Sequence, residues 1–261
     1  MSKLIWKRRL GNICAPFYRS MNRRVVLLYH SVGDGSLAVS EEQFRQQTRW
    51  LMEWAKIVPF NELVKDHVSQ GLQVSITFDD GYSSLHDRAA PILAEYEAAA
   101  TVYLNSGWIG ETDRKASDAT LGHYDKEQFL LWKEVDALHK AGWTIGSHGV
   151  NHLDLTDQES SVIEAELANS RREIEAHLDC SCEHFAYTWG RFNPALQRTV
   201  RSAGYLSAVS GLHGPIGPDS DPYALPRIDV RAEYELSDFQ ALVMGHWDYI
   251  GLKQHLMRKF V

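Results

Sequence analysis

The sequence predicts an α/β fold in which parallel strands alternate with helices, as an open sheet or a (β/α) barrel. Short apolar runs rich in β-branched and aromatic residues recur along the chain, and longer segments with a 3.6-residue apolar period lie between them. Such alternation leads to a parallel sheet. In either architecture the chemistry sits at the C-terminal ends of the strands.

Strands are expected at 25–29, 74–78, 100–104, 143–145, 184–187 and 205–209. Leu85, Ala89, Ile92 and Tyr96 fall on one helical face, as do Leu131, Val135 and Leu138 of a helix that stops near Gly142. Thr156 and Glu159 read as a capping box ahead of a helix over 162–178. Asn193-Pro194 opens a further helix that ends near Gly204, a proline start and a glycine stop. Segment 241–252 also reads as helical, with His246 peripheral to any site.

The 261 residues suffice for one large domain, and 44% apolar with 23% charged residues is a globular composition. The net charge of −7 is uneven: residues 1–24 carry +7 with no acidic residue, leaving −14 on the remainder. An acidic body argues against nucleic acid as a partner. The organisation expected is a basic N-terminal arm, 1–24, before a single domain, 25–261. The arm is either solvated or packed as a first helix, or it touches the anionic inner face of a membrane. Its apolar runs are too short for a secretory signal, and no stretch reaches the ~20 apolar residues of a membrane span. With three cysteines (Cys14, Cys180 and Cys182), this points to a reducing, cytoplasmic compartment. Cys180 and Cys182 lack the second pair that a zinc site needs.

Three strand ends carry titratable residues. Strand 74–78 ends in Asp79-Asp80-Gly81. Adjacent carboxylates raise each other's pKa unless something positive lies near, and a metal resolves this by taking one and leaving the other as a base. Strand 143–145 leads to His148 and His152, four apart, a spacing that on a helical turn aims both imidazoles the same way. One Asp and two His form a set that leaves positions open for water. Without thiolate it suits zinc, cobalt, nickel, manganese or ferrous iron. Strand 25–29 ends in His30, a loop histidine or a proton donor at the same mouth.

Thr77-Phe78-Asp79-Asp80-Gly81 is similar to the first motif of the polysaccharide deacetylases, and Ser147-His148-Gly149-Val150-Asn151-His152 resembles their second. The resemblance implies a distorted (β/α) barrel with fewer than eight regular units and one divalent ion, zinc first among the metals above, on Asp80, His148 and His152. It implies Asp79 as the general base. Tyr29-His30 resembles the start of a circularly permuted branch that includes biofilm poly-N-acetylglucosamine deacetylases, which would make His30 the general acid. Residues 185–190 resemble the third motif, but Ala186 stands in place of its arginine and Thr188 in place of its proline. Arg227 either substitutes for that arginine or forms a structural Arg–Asp pair. Trp189, Tyr82 and Trp108 are candidates to stack on sugar rings, with a backbone N–H near Trp189 for the oxyanion. The implied substrate is an N-acetylated amino-sugar glycan, and a cytoplasmic enzyme would meet it as a lipid-linked precursor of an exopolysaccharide or cell-envelope glycan. The altered third motif also allows a sugar-binding protein without catalysis, and removal of an O-acetyl or N-formyl group is a further alternative.

Overall fold

The computed structural model describes residues 3–18, 22–35, 38–65 and 71–258. Its strands are β1 (Arg23–Tyr29), β2 (Lys56–Ile57), β3 (Leu72–Phe78), β4 (Thr101–Leu104), β5 (Thr144–Ser147), β6 (His184–Ala186), β7 (Ser207–Val209) and β8 (Ile228–Asp229). The helices are α1 (Lys3–Tyr18), α2 (Glu41–Trp54), α3 (Phe60–Lys65), α4 (Ala90–Ala94), α5 (Trp132–Lys140), α6 (Ser160–Leu178), α7 (Pro194–Ser202), α8 (Leu236–Val243) and α9 (Tyr249–Arg258).

All strand pairs are parallel, in the order β7-β6-β5-β4-β3-β1-β8, with β2 paired to β3 off this path. This is the distorted (β/α) barrel expected, a curled parallel sheet wrapped by helices. The strands read as apolar runs because both faces are buried. Val25, Leu27 and Tyr29 pack in the main core, while Val26 joins Tyr103, Ala186, Val209 and Phe60 in a second cluster. That alternation is the two-residue period of a strand with a core on each side.

All six expected strands form; β2 and β8 are additional, each only two residues long. The helix near residue 85 starts as a π-helical turn, Leu85–Ala89, before α4. Asn193 caps α7, its side chain accepting from the Leu196 N–H. The expected capping box at Thr156 and Glu159 does not form. Asp154 accepts from the Thr156 N–H and Oγ1 in a short turn of its own, and Glu159 makes no side-chain cap to α6. Segment 241–252 is two helices, not one: Gly245, at φ 87°, turns the chain between α8 and α9, with His246 in the turn.

Of the two soluble expectations for residues 1–24, the described part is a first helix packed on the body. Lys7 Nζ donates to Tyr234 Oη (2.9 Å), and Arg8 forks onto Asp238 (2.7 and 2.6 Å). Arg23 and Arg24 belong to β1 and are buried, Arg23 forking onto Asp248 and Arg24 donating to the Leu63 and Gly217 carbonyls. Arg19 lies outside the described residues, as do residues 1, 2, 20 and 21 of that segment. No described helix is long and apolar enough to cross a membrane.

Candidate active site

Parallel register brings the chemistry-bearing residues to one end of the sheet. His30 follows β1, Asp79 and Asp80 follow β3, His148 follows β5, and Arg227 immediately precedes β8. All of them, with His152 and Trp189, line one cavity of about 320 Å³.

In a regular strand, neighbouring side chains point to opposite faces. Asp80 escapes this rule by a left-handed backbone (φ 72°), followed by Gly81 at φ 82°. Both carboxylates therefore reach the same imidazole: Asp79 Oδ2 lies 3.9 Å and Asp80 Oδ1 3.6 Å from His148 Nε2. Asp80 Oδ1 is also 3.4 Å from His152 Nε2. His152 (φ 55°) and Trp189 (φ 59°) are left-handed as well. Such strain costs about 1–3 kcal/mol per residue and clusters where a site demands it.

The 148–152 segment is not helical, so the helical-turn reading of its spacing is corrected. The imidazoles converge because Glu166, on α6, ties the loop. Its Oε2 accepts from the Val150 and Asn151 N–H groups (2.7 and 3.0 Å), and its Oε1 from Asn151 Nδ2 (2.7 Å). His148 Nδ1 donates to the Ala186 carbonyl (2.7 Å) and His152 Nδ1 to the Leu121 carbonyl (2.6 Å). A carbonyl only accepts, so each Nδ1 carries the proton and each Nε2 turns its lone pair toward Asp80.

Charge balance makes this set fit a divalent cation. Arg227 forks onto Asp79 (2.6 and 2.8 Å) and neutralises it. Burial alone would raise the Asp79 carboxyl, but the guanidinium, with His148, holds it below the usual carboxylate range. Asp80 is likewise raised by burial and lowered further by the surrounding histidines, to about 2. Burial pushes the His148 imidazole down to about 4, so it is neutral at pH 7. What remains is a buried Asp80 carboxylate facing imidazole lone pairs, and such an anion is costly without a cation. Asp80, His148 and His152 form one of two groups among the described residues that could hold a metal. The other, His86, Asp87 and Glu134, already has Arg114 bridging its two carboxylates (2.6 and 2.7 Å). It lies near a larger cavity of about 650 Å³, which Asp87 and Arg114 help to line. With both carboxylates already answered by Arg114, that group lacks an open ligand set.

His30 lines the same cavity as Asp79 and Asp80, with its ring 5.0 Å from that of Tyr124. Trp189 is 48% exposed and lies against His152, ring centroids 5.0 Å apart. Gly122 gives it room, since a Cβ there would overlap the indole. Tyr82 is not a groove residue, because it has no exposed face. It lies beneath the site, stacked between Tyr124 and Phe129, its oxygen accepting from the Tyr124 N–H (2.9 Å). Trp108 packs on His123 and Phe129 and does not line the cavity. Tyr124 holds the wall position in their place. Sequence reasoning also missed Asn105 and His123. Asn105 Nδ2 donates to Asp80 Oδ1 (3.2 Å) and lies 3.5 Å from His123 Nε2.

Residues 68–208, more than half of the chain, match the family described as polysaccharide deacetylase. The chain belongs to the polysaccharide deacetylase family. Relatives within it include YxkH of Bacillus subtilis, 27% identical over 224 residues (84% of this chain, 75% of that protein). The poly-beta-1,6-N-acetyl-D-glucosamine N-deacetylase of Staphylococcus epidermidis is 24% identical over 242 residues (87% and 78%). Among solved structures, IcaB from Ammonifex degensii superposes with a TM-score of 0.73 at 20% identity, covering 86% of this chain and 98% of that one. The deacetylase PplD of Streptococcus pyogenes, in complex with acetate, gives 0.72 at 21% identity (86% and 99%). These two show that this chain has the same fold.

The buried histidines also set a pH limit on stability. Burial holds His123, His148, His184 and His213 each at about 4. The unfolded chain protonates them below about pH 6.5, whereas the folded chain does not until about pH 4. The unfolded state therefore binds more protons in that window, and stability falls as pH falls through it. The melting temperature of metal-free protein is expected to drop steadily from pH 6.5 to pH 4.5; a level profile would contradict these buried neutral forms.

Proposed function

We propose that this deacetylase is a metal-dependent hydrolase that removes N-acetyl groups from N-acetylhexosamine residues of a glycan. The observation that carries the reading is the convergence of Asp80, His148 and His152 beside an arginine-clamped Asp79 in one cavity that His30 also lines. Similarity to chains named poly-beta-1,6-N-acetyl-D-glucosamine N-deacetylase supports an amino-sugar polymer as the substrate.

Asp80, His148 and His152 would hold the ion, zinc or one of cobalt, nickel, manganese and ferrous iron. When bound, it supplies a Lewis acid that polarises the acetamide carbonyl and acidifies water. Asp79 accepts the proton of the attacking water. Its lowered pKa keeps it ionised at neutral pH, and each oxygen has a lone pair beyond the one Arg227 uses. His30 delivers a proton to the departing sugar amine, giving acetate and a free amine. The Gly190 N–H is engaged by the Tyr187 carbonyl (2.8 Å), which leaves the Trp189 amide as the backbone donor for the oxyanion. Trp189 and Tyr124 offer aromatic surface to the sugar.

The reading extends to a cytoplasmic enzyme acting on a lipid-linked precursor of an exopolysaccharide or envelope glycan, with residues 1–24 against the membrane. The binding-only alternative drew on the missing third-motif arginine, and the Arg227 fork on Asp79 weakens it.

The test is acetate release from N-acetylglucosamine oligomers with and without chelator, alongside O-acetyl and N-formyl sugars. Chelator is expected to abolish release and added zinc or cobalt to restore it. His30→Gln is expected to slow the reaction by about 10²–10⁴ with metal content unchanged. Chelator-insensitive release, or faster release from the ester or formyl substrates, would overturn the assignment.

A further inference from the structure

We infer that Tyr103 is a positioning residue for Arg227: its ring backs the guanidinium inside the barrel and so keeps the fork on Asp79 in place. The inference rests on the deacetylase reading for what Asp79 does, and on packing for the rest.

Arg227 has a distance to cover. It precedes β8, whereas Asp79 follows β3, and β1 lies between those two strands in the sheet. All three side-chain nitrogens are engaged at the edge of the guanidinium plane. Nη1 and Nη2 donate to Asp79, and Nε donates to the Ser210 carbonyl (3.3 Å). Hydrogen bonds of this kind lie in the plane and leave the two faces of the group without a partner. An aromatic ring answers a guanidinium face, because its negative quadrupole attracts a cation within about 6 Å of the centroid. Arg227 Cζ lies over the Tyr103 ring, 5.8 Å from its centroid. Tyr103 is on β4, which flanks β3 on the side away from β8. The ring and the backbone of Arg227 thus come from opposite sides of the strand that carries Asp79.

The neighbouring strand makes room for this ring. Tyr103 pairs with Gly146 across β4 and β5. A Cβ on Gly146 would stand 2.6 and 2.7 Å from Cδ1 and Cε1 of the tyrosine, closer than side-chain carbons approach. Glycine inside a strand weakens it and marks a place where another group comes near. Here that group is the Tyr103 ring. Phe60 then meets the ring edge-on, at 6.2 Å and 82°.

The hydroxyl is not what the position uses. Tyr103 is fully buried, yet its Oη has no hydrogen-bond partner among the described residues. A buried, unpaired hydroxyl costs stability. In a cluster with Val26, Ala186 and Val209, an aliphatic side chain would fill the space without that cost. It would not offer a π face to the cation, and this is the property that separates tyrosine from leucine here.

The test compares Tyr103→Phe, which keeps the ring, with Tyr103→Leu and Tyr103→Met, which do not. Full chains with isotopically labelled arginine are observed by NMR, the Arg227 signals being identified by their loss in Arg227→Lys. In the unaltered chain and in Tyr103→Phe, the Nη–H groups of Arg227 are expected as separate signals, because rotation of the guanidinium is blocked. In the two aliphatic variants these signals should merge. There kcat for acetate release should fall about tenfold, at unchanged KM and zinc content, while Tyr103→Phe keeps the full rate at an equal or higher melting temperature. A core residue with no link to Arg227 would shift the melting temperature and leave the guanidinium signals alone. Three results would overturn the inference: merged signals in the unaltered chain, separate signals in the aliphatic variants, or a rate loss in Tyr103→Phe equal to that in Tyr103→Leu. Should one aliphatic variant not fold, the other and the unaltered chain still decide. If no chain releases acetate, the deacetylase reading fails by itself, and the Arg227 signals still show whether the ring holds the guanidinium.

Discussion

Arg227→Met is expected to lose about 3–5 kcal/mol of stability and at least about 10² in the rate of acetate release. The Arg227 and Asp79 side chains are 1% and 4% exposed, joined by two charged hydrogen bonds. Methionine matches the aliphatic stem but removes the counter-charge, leaving Asp79 buried and unpaired. Burial is the first influence on that carboxyl and acts upward. Without the guanidinium the pKa rises, and a protonated Asp79 cannot accept a proton from water. The melting temperature should fall by on the order of 10 °C for a chain of this size, and the acid limb of the rate profile should move to higher pH. Arg227→Lys keeps the charge but loses the planar fork, so it should fall between the two. Differential scanning fluorimetry with a pH–rate series separates these effects. An unchanged melting temperature and acid limb in Arg227→Met would show that the pair matters to neither folding nor catalysis.

The same pair shows where sequence reasoning reached and where it stopped. Arg227 drew notice only because a known motif lacked its arginine at Ala186. Its partner is 148 positions away, and no periodicity links them. The strands were legible because burial on both faces writes them as unbroken apolar runs. The two-residue strands β2 and β8 are too short to leave a pattern, and β8 exists because β1 offers it an edge at Leu27 and Leu28. The proposed ligands stand out in the sequence at and after strand ends, but the means of their convergence does not. His148 and His152 are aimed by Glu166 and two carbonyls, partners that leave no local spacing. Asn105 and His123 were missed for the same reason: each lies outside the motifs, and Asn105 meets Asp80, and His123 meets Asn105, only through the fold. Tyr82 misled because its neighbours in sequence are Asp79, Asp80 and Gly81, whereas its own ring is buried. The basic terminus misled differently. Charge counting treats all seven cations as free, yet Lys7, Arg8, Arg23 and Arg24 are bonded to the body.

Asp79→Asn and Asp80→Asn are expected to fail in opposite ways, although the residues are adjacent and equally buried. Asp80 faces two Nε2 lone pairs at 3.6 and 3.4 Å and receives Asn105 Nδ2. Asparagine there removes the one negative charge that the imidazoles cannot supply. Metal affinity should fall by at least about tenfold, as for disruption of a ligand shell, and activity should return in part at high metal concentration. Asp79 has its charge answered by Arg227, so Asp79→Asn leaves the ligand set intact. Metal content should hold while the rate falls by about 10²–10⁴, and added metal should not rescue it. The amide oxygen accepts only part of the fork, so Arg227 is left partly unpaired and the melting temperature should also fall. Equilibrium dialysis against zinc, read beside acetate release, tells the two apart. Loss of metal in Asp79→Asn with retention in Asp80→Asn would exchange the two roles. Loss in both would mean that the ion bridges the carboxylates, and the arginine clamp would then need another purpose.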